Sequence, residues 1–178
     1  TTIGDRIRWR VGPCLAGEGW QWDGVRFFFL HPTEYFPYLG NEASCVLVVD
    51  SAHGRALLPG DIGEVVERRL LRDPAPLRAQ VVVVGHHGSS GSSSPAFVAA
   101  TGARLALVAA GQGNRFGHPR AEVVQRWREQ GAEVLGTPAS GAIRVWLDAE
   151  GMAVRERRPW RARLWDRRPP PSAADPSS

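Results

Sequence analysis

The most constraining feature of this sequence is a short apolar segment, Val81–Val84, that is followed at once by glycine, histidine and serine residues. Four consecutive valines are typical of a strand, and the lack of any polar position indicates that both of its faces are covered. Segments 55–59 and 104–109 have a similar character and also end at glycine-containing loops. Because such strands alternate with helical segments here, the pattern predicts an α/β fold with a mixed sheet.

The remaining pattern predicts hairpins first and strand–helix alternation afterwards. We expect strands at Arg6–Arg10, Val25–Leu30, Cys45–Asp50, Arg55–Pro59, Val81–Val84, Arg104–Ala109, Ala132–Leu135, Ala142–Leu147 and Met152–Arg157. Residues 1–21 are otherwise expected to be irregular. Amphipathic patterning predicts helices at Ile62–Leu71, with Val65, Val66, Leu70 and Leu71 inward, at Pro95–Thr101 with Ser94 as N-cap, and at Arg120–Gln130.

Positive charge is concentrated at the end of the chain. Residues 1–151 contain 15 arginines and 15 acidic residues, whereas residues 152–178 contain seven arginines and three acidic residues. The end of the chain is also rich in proline and serine. We therefore predict a folded domain over residues 1–157 and a disordered basic tail over residues 158–178, and the high isoelectric point is not evidence for a basic nucleic-acid-binding face on the body.

The two cysteines, Cys14 and Cys45, are too few for a disulfide framework and lack the spacing of a zinc ribbon. One bridge between them and two separate thiols are both compatible with the sequence, so the redox compartment stays open. No apolar run approaches the ~18–20 residues that a membrane span requires.

Polar residues follow three of the apolar strands: Asp61, the pair His86-His87, and His118. Ligands of open α/β sheets bind beyond the carboxyl ends of strands, so we expect these residues to converge, with Asp61 and one histidine of the pair as candidate metal ligands. Adjacent histidines point in different directions, so one would bind while the other forms hydrogen bonds or faces substrate. Each residue also has a structural interpretation: Asp61 as a helix N-cap and the histidines as loop residues.

Three further groups of residues contain side chains that could have a functional role. The polar loop 113–119 contains Arg115 and could hold a phosphate or position a general acid. The serines of segment 89–94 do not form a Gly-x-Ser-x-Gly motif, so loop and capping roles suit them better than a nucleophilic one. His31 and His53 are expected to be structural or exposed to solvent.

Four segments in a fixed order resemble the ComEC family of DNA-internalisation competence proteins, and more narrowly their metallo-β-lactamase-like domain. They are 41–47 (Asn-x-x-Ser-Cys-Val-Leu), 57–61 (Leu-Leu-Pro-Gly-Asp), 85–89 (Gly-His-His-Gly-Ser) and 113–119 (Gly-Asn-Arg-Phe-Gly-His-Pro), within a similarity from about Trp20 to Arg144. The resemblance implies an αββα sandwich. The His-x-His-x-Asp-His motif of the wider metallo-β-lactamase superfamily is absent and the chain begins at Thr1 without methionine, so we expect only the C-terminal half of that domain.

The resemblance also implies roles for individual residues. Asp61 corresponds to a metal-bridging carboxylate and His86 to a late histidine ligand, with His87 as its neighbour. His118 and Arg115 would contact substrate, and we expect His118, Arg115 and His87 to be the catalytic residues. The intact domain would bind one or two divalent ions, Zn or Mn, but this chain alone provides too few ligands and need not bind any.

The implied function is metal-dependent phosphodiester hydrolysis that degrades the non-transforming DNA strand during DNA uptake, with this chain inactive alone. The expected partners are DNA, the rest of the parent chain with its transmembrane channel, and competence DNA-receptor proteins. The parent would lie in the bacterial inner membrane, with this domain soluble on the outer, periplasmic side. The alternatives are a non-catalytic domain that guides DNA with its arginine-rich tail, a metallo-hydrolase of a small lactone or phosphodiester, and a serine hydrolase that uses Ser89 or a neighbour.

Overall fold

A seven-stranded mixed sheet organises the part of the chain that the computed structural model describes, residues 12–72 and 77–160. Its strands follow one another in space as they do in sequence. The first four pair antiparallel and the last four pair parallel, which confirms the predicted α/β class with a mixed sheet. The strands are β1 (Gly19–Trp22), β2 (Val25–His31), β3 (Val46–Ser51), β4 (Gly54–Leu58), β5 (Val81–Val83), β6 (Leu105–Val108) and β7 (Glu133–Gly136).

Helices cover one face of this sheet. The described helices are α1 (Glu64–Leu70), α2 (Pro95–Thr101), α3 (Ala121–Glu129), α4 (Thr137–Ser140) and α5 (Arg157–Trp160). The first three contribute Val66, Phe97 and Trp127 to one continuous buried cluster with the sheet residues Val46, Val48, Leu57, Val82 and Ala106. The core therefore lies between the sheet and these three helices, and it fixes the loops that join them.

The opposite face of the sheet is only partly covered. A separate antiparallel hairpin, β8 (Ile143–Asp148) and β9 (Gly151–Glu156), places Val145 and Leu147 against Ala56 and Val81. Further toward β1 nothing in the described residues covers the sheet to the same degree. Trp20 is stacked on Phe27 at 4.9 Å between ring centroids, yet Trp20 is 47% exposed and Trp22 is 74% exposed.

Most predicted elements are confirmed to within one or two residues, but the irregular start of the chain is partly wrong. Gly19–Trp22 forms strand β1, which pairs with β2 across a two-residue turn at Asp23 and Gly24, both with positive φ. The predicted strand Arg6–Arg10 lies outside the described residues. Of the predicted tail, residues up to 160 are described and belong to the short helix α5, and the rest lies outside them.

The predicted inward face of the first helix is also partly wrong. Val66 and Leu70 are buried, but Val65 is 55% exposed and the charged residue Glu67 is buried instead. The Glu67 carboxylate accepts backbone N–H groups of Ser93 and Ser94, the latter at 2.7 Å, and these bonds offset the cost of burying it. Burial raises the pKa of Glu67. Helix α1 thereby anchors the loop that follows β5.

The two cysteines form a disulfide between Cys14 and Cys45. This resolves the alternatives that the sequence left open in favour of one bridge. It joins the segment before β1 to the residue that precedes β3, and so it holds the start of the described chain against the sheet.

The longest helix of the described residues is α3, with nine residues. No described helix is therefore long and apolar enough to cross a bilayer.

Candidate functional site

The loops after β4, β5 and β6 meet at one edge of the sheet, because neighbouring parallel strands place their carboxyl ends side by side. Backbone hydrogen bonds join the loops directly. The N–H of His86 donates to the Gly60 carbonyl oxygen at 3.0 Å, and the N–H of Arg120 donates to that of Gly88 at 2.9 Å. The structure thus brings Asp61, the histidine pair and the loop of His118 to the same place.

The histidine pair has an unusual backbone. His86 and His87 both have positive φ, at 48° and 56°, inside the tight turn Gly85–Gly88. A non-glycine residue in this region costs on the order of 1–3 kcal/mol and persists only where its surroundings enforce it, as happens most often at functional sites. The turn also approaches its neighbour closely, since a Cβ on Gly88 would lie 2.6 Å from that of Pro119.

His87 faces Asp61 across the strand ends. The Nε2 atom of His87 lies 3.4 Å from Oδ1 of Asp61. On its other side, Nδ1 of His87 lies 2.7 Å from the Ala109 carbonyl oxygen, which can only accept, so Nδ1 carries the proton. A neutral ring then directs the lone pair of Nε2 toward the carboxylate, an arrangement that a proton or another cation between the two atoms stabilises.

This arrangement fits two ligands of one metal ion. Ligating histidines commonly donate their second ring N–H to a backbone carbonyl, as His87 does to Ala109. Two N/O ligands at about 2.0–2.2 Å from a tetrahedral ion are roughly 3.3–3.5 Å apart. Among the described residues, however, no group of three or more His, Cys, Asp or Glu side chains could hold an ion. Asp61 and His87 form a pair of potential donors and not a complete ligand set.

His86 points elsewhere, as expected for the neighbour of a differently oriented histidine. Its Nε2 lies 3.1 Å from Nδ2 of Asn41, in the 3-10 turn before β3. The sequence paired Asp61 with His86, whereas the side chain that contacts Asp61 is that of His87. In the sequence, Asn41 stands out only as part of segment 41–47. Its contact with His86 depends on tertiary packing, which the spacing of residues along the chain does not show.

The capping interpretation of Asp61 finds no support in the contacts. Helix α1 has Gly63 at its N-cap, without a side-chain cap. The N–H of Gly63 instead donates to Oε2 of Glu42 at 3.2 Å. The carboxylate of Asp61 is thus not engaged at the start of the helix and faces His87.

The third loop is braced from within by Asn114. Its Oδ1 accepts the N–H of His118 at 3.0 Å, and its Nδ2 donates to the carbonyls of Gly111 and His118. The His118 ring lies 6.1 Å from that of His86. Burial, and then the charge of Arg120, lowers the pKa of His118.

An exposed aromatic ring and a cation flank this loop. Phe116 is 57% exposed and stacks on His118, with 5.9 Å between centroids and 15° between planes. The guanidinium of Arg115 lies 4.8 Å from the centre of the Phe116 ring. Beside them, a cleft of about 460 Å³ extends from His87 to Thr137.

The serines of the loop after β5 have structural contacts. The Ser92 hydroxyl donates to the carbonyls of Gly85 and Ser89, and the Ser93 hydroxyl accepts from the indole N–H of Trp127. None of these contacts involves a histidine, so the geometry gives no support to a serine nucleophile.

The other two histidines match their predicted structural or exposed character. His31 is buried, and its Nε2 donates to the Glu42 carbonyl oxygen at 2.8 Å, while burial lowers its pKa. His53 is exposed in the turn between β3 and β4.

Comparison with known proteins gives three informative relatives, although no protein-family model matches the chain. The chain is 36% identical over 86% of its length to competence protein ComA of Neisseria gonorrhoeae. It is 30% identical over 85% to recombination protein 2 of Haemophilus influenzae, and 31% identical over 71% to ComE operon protein 3 of Bacillus subtilis. It spans only 22%, 19% and 16% of the lengths of these relatives, respectively.

Proposed function

Because the chain belongs to the ComEC family of competence proteins, we propose that its parent protein acts in DNA uptake during natural transformation. There it hydrolyses phosphodiester bonds of the non-transforming strand with the help of a divalent metal ion, Zn or Mn. This chain contributes part of the site and is inactive alone. DNA, the rest of the parent chain and competence DNA-receptor proteins are the proposed partners.

The observation that carries this proposal is the 3.4 Å approach of His87 Nε2 to Asp61 Oδ1. The Ala109 carbonyl fixes the tautomer of His87, so its free nitrogen faces the carboxylate. Imidazole nitrogen and carboxylate oxygen are donor atoms that Zn and Mn accept as ligands. The remaining ligands come from the preceding part of the parent, and His86 joins them only if Asn41 leaves its Nε2 atom.

The other residues of the site have roles on the substrate side. A divalent cation supplies Lewis-acid activation of water and neutralises charge at phosphorus. Arg115 carries a permanent positive charge on an exposed loop and holds a phosphate oxygen. The lowered pKa of His118 favours its neutral form, which suits a role as acceptor of a hydrogen bond or a proton rather than as a source of charge for the phosphate.

The partly covered sheet face fits one half of a metallo-β-lactamase-like αββα sandwich. Trp20, Phe27 and Val49 lie on that face in cross-strand register, and Trp20 is 47% exposed there. The proposed occupant is the sheet formed by the preceding part of the parent chain. The site would then lie at the edge between the two sheets, where both halves can supply ligands.

The disulfide bears on where this chain resides. Disulfides persist in oxidising compartments and are rare in the cytoplasm. The Cys14–Cys45 bond therefore supports a location on the periplasmic side of the inner membrane.

Substitution of either proposed donor tests the nuclease assignment. In the parent protein, Asp61→Ala and His87→Ala should each lower kcat/KM for Mn²⁺- or Zn²⁺-dependent cleavage of a labelled oligonucleotide by at least about 100-fold, because metal stabilisation of transition-state charge is worth several kcal/mol. Glu34→Gln, at an exposed carboxylate away from the site, is the matched control. Wild-type rates in the Asp61 variant would refute the assignment.

Hydroxyl-radical footprinting tests the sandwich. Trp20 and Phe27 should be modified several-fold less in the parent protein than in this chain alone, because a second sheet would exclude solvent from them. Tyr35, which is 89% exposed, should be modified equally in both. Equal modification of Trp20 and Phe27 in the two samples would contradict the proposal.

Thiol trapping in intact cells tests the compartment. After an acid quench, Cys14 and Cys45 should react with a maleimide only if a reductant is added first, because the disulfide is intact in an oxidising compartment. A Cys45→Ser variant, which leaves Cys14 without its partner, shows that trapping works. Full labelling of the native protein without reductant would place this chain in a reducing compartment.

A further inference from the structure

We propose that the cleft between the Phe116 loop and Thr137, here called the base cleft, holds an unstacked nucleobase of a single DNA strand. The base lies on the ring of Phe116. This inference rests on the proposed nuclease function and names its substrate class: single-stranded DNA, or the melted end of a duplex, rather than intact duplex.

The lining of the base cleft suits a flat apolar group. Its volume of about 460 Å³ lies within the roughly 300–1,000 Å³ of small-molecule pockets. Ala109, Ala110 and Gly111 form part of its wall. The Thr137 hydroxyl is already engaged, since it donates to the Ala110 carbonyl at 2.8 Å and accepts the Ala110 N–H at 3.0 Å. A phosphate would find few free donors on this wall, whereas the face of a base needs none.

Phe116 provides a fixed and accessible stacking surface. Its ring is more than half exposed, and it stacks on His118 with Arg115 close by. Asn114 braces the loop through both groups of its amide. Aromatic rings of this kind bind any nucleobase through its π-face, independently of sequence. This suits a protein that degrades a strand of arbitrary sequence.

The position of the base cleft aligns a strand with the metal donors. His87 is part of the base cleft and also of the proposed donor pair, because its ring lines the cleft while its Nε2 faces Asp61. A base in the cleft therefore places its attached phosphate beside the donor pair. Segment 109–120 contains Arg115 and Arg120 and no acidic residue, so its charge complements a phosphate backbone.

One polar atom at this loop lacks a partner. Nδ1 of His118 is shielded from solvent, and within the described residues it forms no hydrogen bond. The His118 ring therefore backs the Phe116 ring from the protein side. A paired base has both faces stacked within the duplex, so only an unpaired base can lie on Phe116.

Binding of a fluorescent base analogue tests the base cleft without catalysis. The full-length protein, with EDTA present, is titrated into a single-stranded oligonucleotide that carries one 2-aminopurine, whose fluorescence is quenched on stacking. Phe116→Ala should weaken binding by about 5- to 100-fold and abolish the quenching, as expected for loss of one base–aromatic stack. Phe116→Trp should retain both, and Tyr35→Ala, at an exposed aromatic outside the cleft, should match the wild type.

A second oligonucleotide that is abasic at every position makes the result specific, because a cleft that accepts any nucleobase would bind a base next to a single abasic position. Phe116→Ala and the wild-type protein should bind it equally. The inference is overturned if Phe116→Ala binds the 2-aminopurine strand as tightly as the wild type, or if it loses equal affinity for the abasic strand. Phe116-dependent quenching in a protein that never cleaves DNA would refute the nuclease function while supporting the base cleft. Metal-dependent cleavage with Phe116-independent binding would overturn the base cleft alone.

Discussion

The parallel pairing of β4, β5 and β6 is the constraint on which the rest of this structure depends. Leu57, Val82 and Ala106 lie side by side across the three strands and are buried beneath the helices, so the strands cannot slide without opening the core. Their carboxyl ends therefore stay level, and each of the three loops must begin at the same edge. Two buried or half-buried carboxylates then fix the loops in detail: Glu67 holds the serine loop, and Glu42 holds the start of α1.

The turn after β5 determines where the two histidine side chains point. Two consecutive histidines in the left-handed region send their side chains to different neighbours, and the Gly60 carbonyl, Asn41 and Ala109 hold them there. One ring therefore faces the carboxylate of Asp61 and the other faces the loop before β3. The same ring of His87 also borders the base cleft, so the proposed metal donors and the proposed stacking surface share one side chain. Local backbone strain, which is unfavourable on its own, is what directs the two histidine rings to different neighbours.

Much of the fold follows from local sequence, but the site follows only in part. Apolar runs such as Val81–Val84 predict the strands, and the order of the four motifs indicates the family. Both signals can be read from the chain without knowledge of its tertiary contacts. Strand β1 carried a usable signal, the Asp23-Gly24 hairpin turn, which the glycine-rich surroundings obscured. The burial of Glu67, and the contact of His87 rather than His86 with Asp61, depend on groups about 25 residues away or more, and spacing within one loop does not encode them.

The proposed function depends on Asp61 and His87 ligating the same cation. Anomalous scattering from crystals of the parent's complete domain, grown with Mn²⁺ or Zn²⁺, measures this directly. We predict an anomalous peak about 2.0–2.2 Å from both Asp61 Oδ1 and His87 Nε2, with the Ala109 carbonyl still accepting the hydrogen bond from Nδ1. A metal peak bound elsewhere, with Asp61 and His87 left as a direct carboxylate–imidazolium pair, would contradict it.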